Sequence, residues 1–79
     1  MPLYYFDVLD GERFIRDETG HECADVAAIR RAAIESLPGM ASDVMPDGDR
    51  HSIAVKVRDG DGVYVYEAAL TLNAGPVDR

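Results

Sequence analysis

Residues 3–9 (Leu-Tyr-Tyr-Phe-Asp-Val-Leu) form a run of aromatic and branched side chains, the composition of a strand. Tyr4, Phe6 and Val8 share one face; Leu3, Tyr5, Asp7 and Leu9 share the other. Both faces are largely apolar, which points to a central position in a sheet. Asp10-Gly11 is a hairpin turn signal. Residues 12–17 then predict a short second strand, with Phe14 and Ile15 facing opposite ways. Residues 17–24 read as a loop around Gly20.

Asp25 is placed to cap a helix, because its carboxylate can accept a free backbone N–H of the first turn. Val26, Ile29, Ala33, Leu37, Met40 and Val44 follow at steps of three and four, the spacing of one buried helical face. Pro38-Gly39 interrupts this stripe. Proline removes a helical hydrogen bond and crowds the carbonyl four residues back. A kink or a break is expected there, with a second short helix over about 39–45 and a stop at Pro46-Asp47-Gly48.

Residues 52–58 alternate, with Ile53, Val55 and Val57 on one side and Ala54, Lys56 and Arg58 on the other. Asp59-Gly60-Asp61-Gly62 is a second hairpin turn. Residues 63–72 complete the pattern, Tyr66, Ala68, Leu70 and Leu72 forming their more apolar face. Two hairpins joined by a helix predict a two-layer ββαββ domain of the α+β class. It has a four-stranded antiparallel sheet covered on one face by one kinked or broken helix. The expected spatial order is second, first, third and fourth strand. Residues 1–72 make the single domain, and 73–79 read as a flexible tail.

At 79 residues the chain has room for one thin core. No apolar run is long enough to span a bilayer, and no basic-then-apolar leader is visible at the N-terminus. Eight basic against fifteen acidic residues give a net charge of −7. Nucleic acid and anionic membrane are bound through Lys and Arg, so neither is expected as a partner. Seven of the acids and two of the bases lie in residues 1–25. Cys23 is the only cysteine, so no internal disulfide can form, and a reducing cytoplasm is the expected compartment.

The ordered motifs resemble a family of short bacterial proteins, domain-of-unknown-function family 6894. They are the opening Met1-Pro2-Leu3-Tyr4-Tyr5-Phe6, the Asp10-Gly11 turn, the segment Arg16 to Asp25, and the helix Ala27-Ala28-Ile29-Arg30-Arg31-Ala32-Ala33. The resemblance covers nearly the whole chain. It implies a small stand-alone cytoplasmic domain and carries no activity with it. Pro38-Gly39, Cys23 and Ala24 depart from the family pattern. The N-terminal hairpin, acidic loop and Ala-rich helix are also similar in architecture to HicB-type antitoxins, which neutralise a small basic toxin by direct binding.

Little in the sequence carries catalysis. Asp47-Gly48-Asp49 and Asp59-Gly60-Asp61-Gly62 lack the closing Glu of a calcium loop: the twelfth positions are Arg58 and Leu70. They carry ordinary turn chemistry. His21, Glu22 and Cys23 are consecutive, a spacing that does not converge on a metal. Neither catalytic nor metal-binding residues are assigned, and no cofactor is expected. The more informative surface is the sheet face away from the helix. It carries Leu3, Tyr5, Lys56, Arg58, Val65 and Glu67, a mixture of aromatic anchor, aliphatics and both signs of charge that suits an interface. The expectation is a non-catalytic interaction module, homodimeric through that face or a terminal strand edge, or bound to a protein partner. An antitoxin-like inhibitor of a small basic protein is the alternative; a small enzyme or metal-binding protein comes third.

Overall fold

A computed structural model describes residues 1–43 and 50–77, residues 40–43 by their backbone alone. Five strands and one helix follow in the order β1 (Leu3–Asp10), β2 (Arg13–Ile15), β3 (His21–Glu22), α1 (Val26–Asp43), β4 (Arg50–Arg58) and β5 (Tyr64–Asn73). All pairings are antiparallel. The sheet runs β2-β1-β4-β5, and β3 pairs with the other end of β1 from β2.

The α+β class holds, and the four expected strands follow the expected order. Their number is corrected from four to five. The segment read as loop contributes a two-residue strand, with Leu3 opposite Glu22 and Tyr4 opposite His21. β2 is shorter than expected, and both Phe14 and Ile15 remain about half exposed. One edge of the sheet is therefore two short pieces, β2 and β3. The other edge is β5, ten residues long.

Of the kink or break expected in the helix, the break is corrected. α1 continues through Pro38 to Asp43, with no break at Pro38-Gly39. Asp25 caps it as its sequence position requires, its Oδ1 accepting the Ala28 N–H at 2.8 Å. The Pro46 stop and the Asp47-Gly48-Asp49 turn lie outside the described residues.

Ile29, Ala33 and Leu37 from α1 pack with Ile53, Val55 and Val57 from β4 and with Cys23. Tyr4, Phe6, Val8, Tyr66 and Ala68 flank this cluster. The pleat turns the three β4 residues to the helix side, and β4's place between β1 and β5 buries them fully. Val26, expected in the buried stripe, is exposed. It stands at the first helical position, ahead of the turns that cover the sheet.

Candidate functional site

The sheet face away from the helix is not bare. Asp7 has no exposed surface and Arg58 only 7%, although both point to that side. They belong to a hydrogen-bonded clamp linking β1, β4, β5 and the loop after β2. Arg58 Nε donates to Asp7 Oδ2 at 2.9 Å, and the Tyr64 hydroxyl donates to the same oxygen at 2.8 Å. Asp7 Oδ1 accepts the backbone N–H of Asp17 at 2.9 Å. Arg58 then reaches the Asp17 carbonyl at 2.6 Å. The Tyr5 ring lies over the guanidinium, 4.5 Å from centroid to carbon.

Local geometry explains why these residues meet. Tyr5 stands opposite Arg58, and Arg58 opposite Tyr64. A register shift at Val57/Arg58 brings Tyr64, rather than Val65, level with the arginine. Asp17 comes from the loop. Its Oδ2 accepts the Phe6 N–H at 3.0 Å, in the gap between β2 and β3 where β1 has no strand partner on that side. Its Oδ1 accepts the N–H groups of Thr19 and Gly20 and folds the loop back. Gly20 has φ +83°, and a Cβ there would lie 2.4 Å from Leu3 Cδ2 and 3.0 Å from the Tyr5 ring. Only glycine lets the loop lie so close to β1 in that conformation.

The electrostatics follow from these contacts. Burial opposes ionisation of Asp7. The bonds from Arg58, the Asp17 N–H and Tyr64, with the Arg58 charge, outweigh it and hold the carboxyl below the ordinary range. For Asp17, burial is likewise outweighed by the N–H groups of Phe6, Gly20 and Thr19. The bond to Asp7 raises the Tyr64 hydroxyl pKa, with burial adding to it. Burial, and then the Asp25 charge, raise the Cys23 thiol. Asp7 is thus an anion at neutral pH with both oxygens engaged. The cluster holds the loop on the sheet, and Asp7 has no free oxygen with which to serve as an acid or base.

Of the residues expected at an interface, Leu3, Val65 and Glu67 are exposed, Tyr5 and Lys56 are half-buried, and Arg58 is buried. Arg58 and Tyr5 meet each other in the clamp. Lys56 stands between Asp7 and Glu67 in the ladder, with its Nζ 5.9 Å from the Tyr64 ring centroid. Asp17 and Tyr64 were not legible as partners in the sequence. The available signal is Asp7 itself, the one charge inside the apolar run 3–9 of β1, which calls for a buried partner.

The other candidate ligands lie apart. His21 packs edge-on against Phe6, His51 Nε2 bonds to Asp10 at the first hairpin, and Cys23 is buried under the helix start. Asp59 accepts the N–H groups of Asp61 and Val63 and closes the second hairpin. Among the described residues no helix is long and apolar enough to cross a membrane.

The architecture defines a small antiparallel α+β domain with one helix on the sheet and a polar clamp on the opposite face. The chain matches the family described as Domain of unknown function (DUF6894) across residues 3–71, and it belongs to that family. No match was found among curated proteins or among solved structures.

Proposed function

We propose that this protein is a non-catalytic interaction module of the cytoplasm that associates with itself by strand addition at the free edge of β5. One observation carries the reading: the two sheet edges are built oppositely. The β2/β3 edge is short and broken, and Asp17 fills its gap by taking the Phe6 N–H. Short, interrupted edges resist pairing with other chains. β5 runs ten residues with one charge, Glu67, and no proline or lysine. Among the described residues no strand lies beyond it.

The ladder shows which β5 groups face outward. Gly11 donates its N–H to the Ser52 carbonyl, so Ser52 faces β1. Backbone groups alternate along a strand, so Ile53, Val55 and Val57 face β5. Their opposite residues Leu70, Ala68 and Tyr66 face back to β4. Glu67, Ala69 and Thr71 therefore direct their N–H and C=O groups away from the sheet. Exposed Leu70 and Leu72 flank this row of donors and acceptors.

Native mass spectrometry of the chain and of Thr71→Pro tests the reading. Proline at an outward position deletes a free donor while leaving the β4 ladder intact. The wild-type chain is expected to assemble, and Thr71→Pro to remain monomeric with an unchanged far-UV circular dichroism spectrum. A variant that assembles like the wild type, or a wild-type chain monomeric at every concentration, refutes the reading.

A further inference from the structure

Resting on that edge reading, we infer that the occupant of the β5 edge is β5 of a second copy, antiparallel, with the two-fold axis passing through Ala69. Three observations lead there.

The first is charge. Each copy carries −7, and seven of the acids lie in residues 1–25. That stretch contains β1, β2 and β3, whereas β5 ends the opposite edge of the sheet. Joining two copies through β5 therefore puts both acidic thirds at the outer ends of one continuous sheet. Joining them through the β2/β3 edge brings the acidic thirds together. Screening acts over only about 8 Å at physiological salt, so the arrangement decides the repulsion.

The second is register. Outward-facing residues must pair with outward-facing residues, which puts the axis on a residue of β5 rather than between two. An axis at Glu67 sets Glu67 against its own copy, and like charges directly opposite each other are unfavourable. An axis at Ala69 sets Glu67 opposite Thr71 of the second copy. The outward residues Glu67, Ala69 and Thr71 then exchange roughly six backbone hydrogen bonds across the axis, two per pair.

The third is the helix-side row. With the axis at Ala69, Leu70 meets Ala68 of the second copy and Leu72 meets Tyr66. Leu70 and Leu72 are each 43% exposed, while Ala68 and Tyr66 are half-buried beside the core. Each exposed leucine therefore gains an apolar neighbour at the margin of the core. Moving the axis to Leu70 leaves Tyr66 opposite Ala74, beyond the end of β5.

Cysteine placement tests this with a short bis-maleimide reagent. Glu67, Ala69 and Thr71 are exposed, and Cys23 is buried. Ala69→Cys is expected to cross-link to itself. Glu67→Cys and Thr71→Cys are each expected to fail alone, since each sits four positions from its own copy, roughly 14 Å along the strand. Mixing them should give roughly tenfold more cross-linked dimer than either alone. A dimeric mass with Glu67→Cys cross-linking to itself, or with Ala69→Cys failing, overturns the register and leaves the edge reading standing. Monomeric masses at all concentrations overturn both. Circular dichroism of each variant separates a misfolded chain from a wrong register.

Discussion

Asp7→Ala removes the centre of the clamp, and its cost can be worked from the contacts. The substitution takes the acceptor from Arg58 Nε, the Tyr64 hydroxyl and the Asp17 N–H. Tyr64 is 49% exposed and can turn to water, but Arg58 is 7% exposed and keeps its charge. Breaking a buried ion pair from one side costs about 3–5 kcal/mol, because the remaining charge is left uncompensated. A domain of this length has roughly 4–12 kcal/mol of stability in all. The variant should therefore sit near the edge of unfolding. The assay is urea denaturation followed by far-UV circular dichroism. Chain concentration is held equal and low, since self-association adds apparent stability by mass action. With a slope of about 1 kcal/mol per molar urea, the midpoint should fall by roughly 3 M or more. Asp7→Asn, which keeps one carbonyl acceptor, should fall between the two. A shift below about 1 M for Asp7→Ala would mean that the clamp is not what holds the loop on the sheet.

Acid, the loop and the helix each offer a further perturbation. Asp7 and Asp17 both have folded pKa values below the ordinary carboxyl range. Their stabilisation is complete above the unfolded value of about 4 and is lost as pH falls through the lowered folded values. Denaturation midpoints should drop in that window, and Asp7→Asn should flatten the drop; a pH-independent midpoint between about 5 and 2 refutes this. Gly20→Ala should cost about 2–3 kcal/mol, because the new methyl meets Leu3 and Tyr5 at positive φ. Gly60→Ala has nothing within 4 Å and should stay within about 0.5 kcal/mol, so equal costs at the two sites contradict the packing of the loop. Pro38→Ala restores an N–H inside α1 and should raise the thermal midpoint, by about 1–3 kcal/mol of stability. A lowered midpoint would contradict a helix continuous through Pro38.

Alternation and helical spacing made most of the fold legible. Ile53, Val55 and Val57 are buried in turn, and Ile29, Ala33 and Leu37 meet them from the helix. Asp25 reads as a cap because capping is local chemistry. The differences come from tertiary context at Pro38 and Arg58, and from sheer shortness at β3. Proline at 38 predicts a kink or a break, and the break is absent: packing of Ile29, Ala33 and Leu37 against the sheet accompanies a helix that runs on to Asp43. β3 is two residues long and carries no periodicity to detect. Alternation puts Arg58 on the other face from Val57 and so predicts an outward-facing charge. Its burial depends on Asp17, contributed by a loop 41 residues earlier, and on a register shift that brings Tyr64 level with it. Neither relation is visible in a local pattern.

Self-association at the β5 edge engages the outward backbone groups of that strand. Amide hydrogen exchange, resolved by residue at low and high chain concentration, reads them directly. Slowed exchange at Glu67, Ala69 and Thr71 that grows with concentration is the predicted result, with Tyr66, Ala68 and Leu70 protected throughout by their bonds to β4. Exchange at Glu67, Ala69 and Thr71 that stays fast at every concentration, while the β4-facing amides remain protected, would contradict it.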